Sequence, residues 1–303
     1  MIHPPTSSAL DAEPLTPSAG RCPVHHHGSS DRKSPHPTEP TAPQLEQDAQ
    51  GVWHVRGYHE ARTILRGESR QAGFKAEMMG KMPTYMKPPV LFMEGEAHRE
   101  QRRQTAKFFT PITTRAYHGL MERYADRILS ELKRAGRADL SDISLKMAVL
   151  VAAQVIGLTS SPLAGMEQRI ESFLREEEDP TGKLKKGLRF LSDQWRLGRF
   201  FLVDVLPAIR ARQNSPQEDL ITHLLDSGYG STEILTECIT YGAAGMATTR
   251  EFISVVTWHL MEQPEMRAWY LKASEEERYA FLHELLRLEP VVGHLYRRTT
   301  ETM

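Results

Sequence analysis

The stretch Tyr241-Gly242-Ala243-Ala244-Gly245-Met246-Ala247-Thr248-Thr249 lies in the middle of a segment, residues 230–260, that reads as one long helix. Ile234, Cys238, Tyr241, Gly245, Thr248, Phe252, Val255 and His259 recur at steps of three and four, the spacing of a single helical face, so this face is expected to be buried. Ser231 is the expected N-cap, Glu233 stands in the first turn, and Pro264 closes the far end. Such a helix runs about 45 Å and crosses a whole domain. Gly242 and Gly245 each cost about 1 kcal/mol relative to alanine inside a helix, so the pair needs a reason. Either a second helix crosses closely there, or a ligand lies against the backbone.

The totals narrow the setting of that helix. The chain has 303 residues, 40% hydrophobic and 25% charged, which is a globular composition with room for a large core. A formal net charge of −1 gives no electrostatic case for nucleic acid. Cys22 and Cys238 form neither a disulfide framework nor a metal-ligand spacing, and point to a reducing compartment, taken as the cytoplasm. The most apolar run, residues 147–158, is too short to span a bilayer, and no secretory signal opens the chain, so no membrane partner is expected.

Residues 1–49 are dense in Pro, Ser, Thr, Asp and Glu and are expected to be a disordered tail; residues 50–303 form the folded domain. His25, His26 and His27 lie in the tail, where no preset metal geometry is expected. Residues 52–56 alternate as a strand, and residues 58–65 read as a short helix. Residues 70–89 read as a loop, unusually rich in Met and aromatics, that either walls an apolar ligand or packs on the core. The next helix, 94–109, sets His98 and Arg102 four apart on one face, a stripe suited to a carboxylate-bearing ligand or to solvent. Further helices are expected over 117–135, 144–158, 162–178, 183–212 and 218–226, with 144–158 apolar nearly all round and therefore central.

Beyond the long helix, residues 264–272 form a short helix, and Ser274-Glu-Glu-Glu277 is a capping box that opens another, running to Leu288. Its His283-Glu284-Leu-Leu-Arg287 lacks the second histidine that a helical zinc-protease motif needs, which excludes zinc chemistry there. Glu284 and Arg287 stand three apart and can pair. Residues 290–303 alternate weakly as a strand and carry Arg297 and Arg298.

Taken in order, these stretches resemble the cytochrome P-450 family of haem-thiolate monooxygenases. Ala244-Gly-Met-Ala-Thr248-Thr249 is similar to its oxygen-side helix, and Glu284-Leu-Leu-Arg287 to its Glu-x-x-Arg helix. His98-x-x-x-Arg102 with Phe109-Thr-Pro111 resembles its haem-propionate helix, and Arg297 falls where the family has another propionate-binding arginine. The resemblance implies a mainly α fold with a small β region. It also implies haem b (iron protoporphyrin IX) as cofactor, O2 and an apolar small molecule as substrates, and a ferredoxin- or flavodoxin-type reductase partner.

In that reading Gly245 lets oxygen approach the backbone, and Thr248 presents a hydroxyl to it. Ala244 adjoins the ring, while His98, Arg102 and Arg297 neutralise the propionates; Glu284 and Arg287 are structural. The family commonly has an acid immediately before the residue matching Thr248, and here Ala247 stands there. The proton relay is then expected to use Thr248, Thr249, water and Glu251. The family's iron ligand is a cysteine in a glycine-rich loop well beyond the Glu-x-x-Arg motif. Neither Cys22 nor Cys238 replaces it, so no metal ligand is assigned, and the chain is expected to be a C-terminally shortened member, inactive as it stands. The alternatives are a helical protein that binds haem or another ligand without catalysis, and an inactive fragment.

Overall fold

The computed structural model describes residues 43–67, 69–73, 86–162, 165–174 and 183–299. Two strands open it: β1 (Leu45–Gln47) lies antiparallel to β2 (Trp53–Val55), with Leu45 opposite Val55. The first of these lies inside the stretch expected to be a tail. Helix α1 (Tyr58–Arg66) follows, then β3 (Ser69–Gln71), which pairs antiparallel with the last strand, β4 (Arg297–Thr299), setting Gln71 opposite Arg297. Residues 70 and 71, expected in a loop, are thus strand, while 74–85 of that expected loop lie outside the described residues.

The remaining elements are helical. A 3-10 turn (Val90–Phe92) leads into α2 (Gly95–Thr105), which tightens into a second 3-10 turn at Ala106–Phe109. Then come α3 (Pro111–Ala116), α4 (His118–Ala135), α5 (Leu140–Ile156), α6 (Met166–Leu174) and α7 (Lys183–Phe200). A π-helical turn (Phe201–Val205) passes into α8 (Leu206–Asn214), followed by α9 (Leu220–Asp226). The long helix is α10 (Ser231–Glu262), and α11 (Pro264–Lys272) and α12 (Glu275–Leu288) complete the set. The expected mainly α fold with a small β region is what the chain forms.

The core is the crossing of α5 and α10. Gly245 would place a Cβ 3.6 Å from that of Ala152, and Ser254 lies 3.5 Å from Ser144, so the two helices run antiparallel. Small residues on both sides let the backbones approach, which accounts for glycine at the middle of a helix. Ala148, Val149, Ala153 and Ile156 of α5 are buried with Ile234, Cys238 and Met246 of α10. The buried line on α10 runs Ile234–Cys238–Gly242–Met246–Arg250, whereas Tyr241, Gly245, Thr248, Phe252, Val255 and His259 are half-buried. The expected face therefore holds at its start and drifts from Tyr241 onward.

The ends of these helices have identifiable chemistry. For α10 the N-cap is Gly230, not Ser231: the Glu233 carboxylate reaches back to accept the Gly230 N–H at 2.7 Å. Asp139 caps α5 by accepting the Ser141 N–H at 2.7 Å, and Gly157 ends it in the left-handed region at φ 99°. Ser274 and Glu277 form the capping box expected for α12.

Two ion pairs sealed in the interior tie the α5–α6 connection to the helices beyond it. Arg169 grips Asp204 with Nε at 2.6 Å and Nη2 at 2.7 Å, and Ser161 Oγ donates to the same carboxylate at 2.7 Å. Arg212 donates from Nε to Asp219 Oδ2, while its Nη2 donates to Thr159 Oγ1 at 2.8 Å. Asp204 sits in the π-helical turn, so that irregularity turns a carboxylate inward onto its partner.

Candidate functional site

The middle turn of α10 presents one open and one packed side. Ala244 and Thr249 are exposed and Thr248 is half-buried; Thr248 Oγ1 donates to the Ala244 carbonyl at 2.6 Å. The side that Gly245 leaves bare is occupied by Ala152 of α5. Ala244, Thr248 and Thr249 therefore carry the accessible surface of this turn. One turn on, Glu251 accepts from Arg250 Nη2 at 3.0 Å, an ion pair with both side chains largely buried.

Helix α2 joins α10 one turn earlier. The Tyr241 hydroxyl donates to Thr105 Oγ1 at 3.1 Å, and its ring stacks on Phe109 with centroids 5.8 Å apart. Burial pushes the Tyr241 phenol up, against the opposing pull of the Thr105 bond and the nearby Arg102 charge. Arg102 is exposed on α2, and His98 is half-buried one turn before it. Burial, with the charges of Arg102 and Arg99, holds the His98 imidazole below the usual histidine range, so it is neutral at pH 7. Of the His98 and Arg102 stripe, Arg102 is a cation and His98 is a hydrogen-bonding ring held below the usual histidine range.

Arg297 lies on β4, which pairs with β3 more than two hundred residues earlier in the chain. On β4 it donates from Nη1 to Gln71 Oε1 at 2.6 Å and to the Tyr296 carbonyl at 2.9 Å. The Arg70 guanidinium lies 3.4 Å from Glu94 Oε2, which ties the β3–β4 pair to the start of α2. His98, Arg102 and Arg297 are accordingly carried on connected elements.

Glu284 and Arg287 form a two-pronged pair at 2.6 and 2.8 Å on the surface of α12, 57% and 67% exposed. Each holds the other in its charged form, lowering the Glu284 carboxyl and raising the Arg287 guanidinium. Cys238 is sealed in the core, where burial pushes its thiol far up, so it supplies no thiolate at neutral pH. Among the described residues no cluster of three or more His, Cys, Asp or Glu side chains has the placement of a metal site. Ala244 and Thr248 on the open side of α10 and the exposed Arg102 guanidinium are the groups accessible to a ligand here, and the described cysteine is buried and unavailable as a thiolate.

Some participants escaped the sequence reading. Thr105 and Tyr241 join the two helices, Gln71 holds Arg297, and Glu237 is a fully buried acid on α10. Glu237 alone left a signal, as a carboxylate adjacent to Cys238 on a face expected to be buried.

No family model matches the chain, and no curated protein matches it. Solved structures do. CYP105P1 in its 4-phenylimidazole complex superposes with TM-score 0.62 at 21% identity, covering 84% of this chain and 65% of its own. CYP109B1 from Bacillus subtilis gives 0.62 at 20% identity, covering 83% and 70%. P450BioI, solved with a hexadec-9Z-enoic acid ligated acyl carrier protein, gives 0.58 at 22% identity, covering 78% and 62%. The chain therefore spans about two thirds of the length of these proteins. Over that length it has the helical fold of the bacterial cytochromes P450.

Proposed function

We propose that this chain carries the oxygen-side and propionate-side parts of a haem-dependent monooxygenase. The reaction is insertion of one oxygen atom from O2 into an apolar small molecule, with electrons from a ferredoxin- or flavodoxin-type partner in the cytoplasm. No described helix is long and apolar enough to cross a membrane. The observation that carries the reading is the Tyr241–Thr105 bond, which fastens the helix bearing His98 and Arg102 beside the Ala244–Thr248 turn.

Bound haem b supplies the oxygen and one-electron chemistry. The chain's own residues supply position and protons. Arg102 and Arg297 neutralise carboxylates, and His98, neutral at pH 7, adds a hydrogen bond without charge. Ala244 offers an apolar surface to the ring. Thr248 holds a proton at Oγ1, now donated to the Ala244 carbonyl, that can be redirected to a ligand on the open side of the turn. With Ala247 before Thr248, the acid within reach along the helix is Glu251, which is paired with Arg250. Thr249, exposed beside it, gives water a second hydroxyl.

A second reading, a haem- or ligand-binding protein without oxygenase activity, is favoured by one observation: the one described cysteine is buried away from the open face. Titrating residues 1–303 with haemin, followed by the reduced carbon monoxide spectrum, tests the haem site that both readings share. The chain is expected to bind saturably without a thiolate-type Soret band, and Arg102→Ala is expected to weaken binding by about tenfold to hundredfold. Absence of saturable binding, or binding indifferent to Arg102→Ala and Arg297→Ala together, overturns the haem assignment.

A further inference from the structure

Two acids on consecutive turns of α10 capture the backbone of the segment that leads into α2. Glu233 Oε1 accepts the Lys87 N–H at 2.6 Å, and Glu237 Oε1 accepts the Val90 N–H at 3.0 Å. Lys87 is fixed at its other end too, its Nζ donating to the Ser227 carbonyl at 3.0 Å and lying 4.1 Å from the centroid of the Tyr229 ring. The two acids differ in setting. Glu233 is half-exposed at the helix start, whereas Glu237 is 1% exposed, and among the described residues no donor reaches its Oε2.

We infer that Glu237 is a positioning residue that fixes the Lys87–Val90 segment against α10 while it is protonated, and that the segment is released more readily when opening lets this acid ionise. The inference rests on the haem-pocket reading for its consequence, the placement of α2 with His98 and Arg102, but not for its test. The groups facing Glu237 make this a proton-linked contact. Tyr229, Cys238 and Tyr241, each affected by the Glu237 charge, are neutral at pH 7; Glu233 and Asp219 act on Tyr229 and Cys238 respectively, Arg102 acts on Tyr241, and the Lys87 ammonium sits over the Tyr229 ring. Burial pushes the Glu237 carboxyl up to about 7, the Val90 bond pulling weakly the other way.

The sign follows from linkage. In the closed segment the acid keeps its proton up to about pH 7, whereas once hydrated it loses it above its ordinary value of 4.5. Rising pH between those values therefore favours opening, by up to about tenfold per pH unit, with no further change above pH 7. At pH 5 the contact is firm; at neutral pH it is loosened.

Hydrogen exchange of the Val90 amide in the 303-residue chain without haem tests this, after correction for the intrinsic rate at each pH. Protection is expected to fall steeply from pH 5 to pH 7 in the native sequence. Glu237→Gln, which keeps the acceptor for Val90, is expected to stay protected at both, and Glu237→Leu to be unprotected at both. Glu233→Gln is expected to keep the pH dependence at Val90. Circular dichroism confirms that each variant is folded. A native protection factor flat with pH, or the same slope in Glu237→Gln, overturns the inference whether or not the chain binds haem.

Discussion

The Tyr241 hydroxyl donates to Thr105 Oγ1 at 3.1 Å and so ties the long helix to the helix carrying His98 and Arg102. Thr105 Oγ1 also donates to the Gln101 carbonyl at 2.8 Å, so it retains a partner if the phenol is removed. Tyr241→Phe keeps the stacking on Phe109 and deletes one hydrogen bond. It is expected to cost about 0.5–1.5 kcal/mol in urea unfolding, and to lower haemin affinity through the loosened α2. Unchanged affinity in a destabilised variant would separate the bond from the site.

At Gly157 a left-handed backbone meets a buried ion pair. Its φ of 99° is unfavourable for any residue with a Cβ, and a Cβ there would come within 2.6 Å of the Asp219 carboxylate. That carboxylate cannot yield freely, because Arg212 is bound to it in the interior. Gly157→Ala is therefore expected to destabilise by about 1–3 kcal/mol from backbone strain, with a further loss if Asp219 is displaced. Thermal unfolding followed by circular dichroism reads the combined effect, and a change within experimental error would show that the α5 end can adjust.

The buried Arg169–Asp204 pair is expected to be costly to break and cheap to replace. Asp204→Asn leaves the Arg169 charge in the interior beside a neutral amide, and is expected to cost about 3–5 kcal/mol. Replacing both partners, as Arg169→Met with Asp204→Leu, removes the stranded charge and is expected to recover most of that loss. Urea titrations of the single and double variants give the coupling. A double variant no more stable than Asp204→Asn would assign the pair a role in shaping the π-helical turn beyond its charge.

How much of this was legible depended on whether the signal was local. The long helix, α5 and the Ser274–Glu277 capping box were readable because period and end chemistry lie within the segment. The buried line of α10 was not, beyond Cys238. Past it the line runs through Gly242, Met246 and Arg250, of which the glycine and the cation carry no apolar signal, while the apolar Tyr241 and Phe252 flank the contact. The N-cap slipped by one residue because Glu233 closes on the Gly230 N–H instead of Ser231 supplying a side-chain oxygen. Strands β1 and β3, Leu-Glu-Gln and Ser-Arg-Gln, carry no hydrophobic alternation; β3 exists through a partner more than two hundred residues away. At the candidate site the residue types were readable from the resemblance, but not that Gly245 faces Ala152 or that His98 is neutral.

That neutrality leads to the last prediction. Because burial and the Arg99 and Arg102 charges lower the His98 imidazole in the folded chain, unfolding lets it take up a proton at a pH where the native protein does not. Its contribution to stability is therefore present above its ordinary value of about 6.5 and declines as the pH falls below it. His98→Gln keeps a hydrogen-bonding side chain and removes the titration. The difference in urea midpoint between native and variant chains is expected to change between pH 7.5 and pH 5.5, with the native chain losing more. The same variant bears on the site: if His98 contributes a hydrogen bond and Arg102 the charge, His98→Gln lowers haemin affinity less than Arg102→Ala, and only the arginine variant flattens the dependence of affinity on salt. A salt dependence lost equally in both would mean that His98 is protonated when the ligand is bound, its imidazole drawn up by the carboxylates it meets.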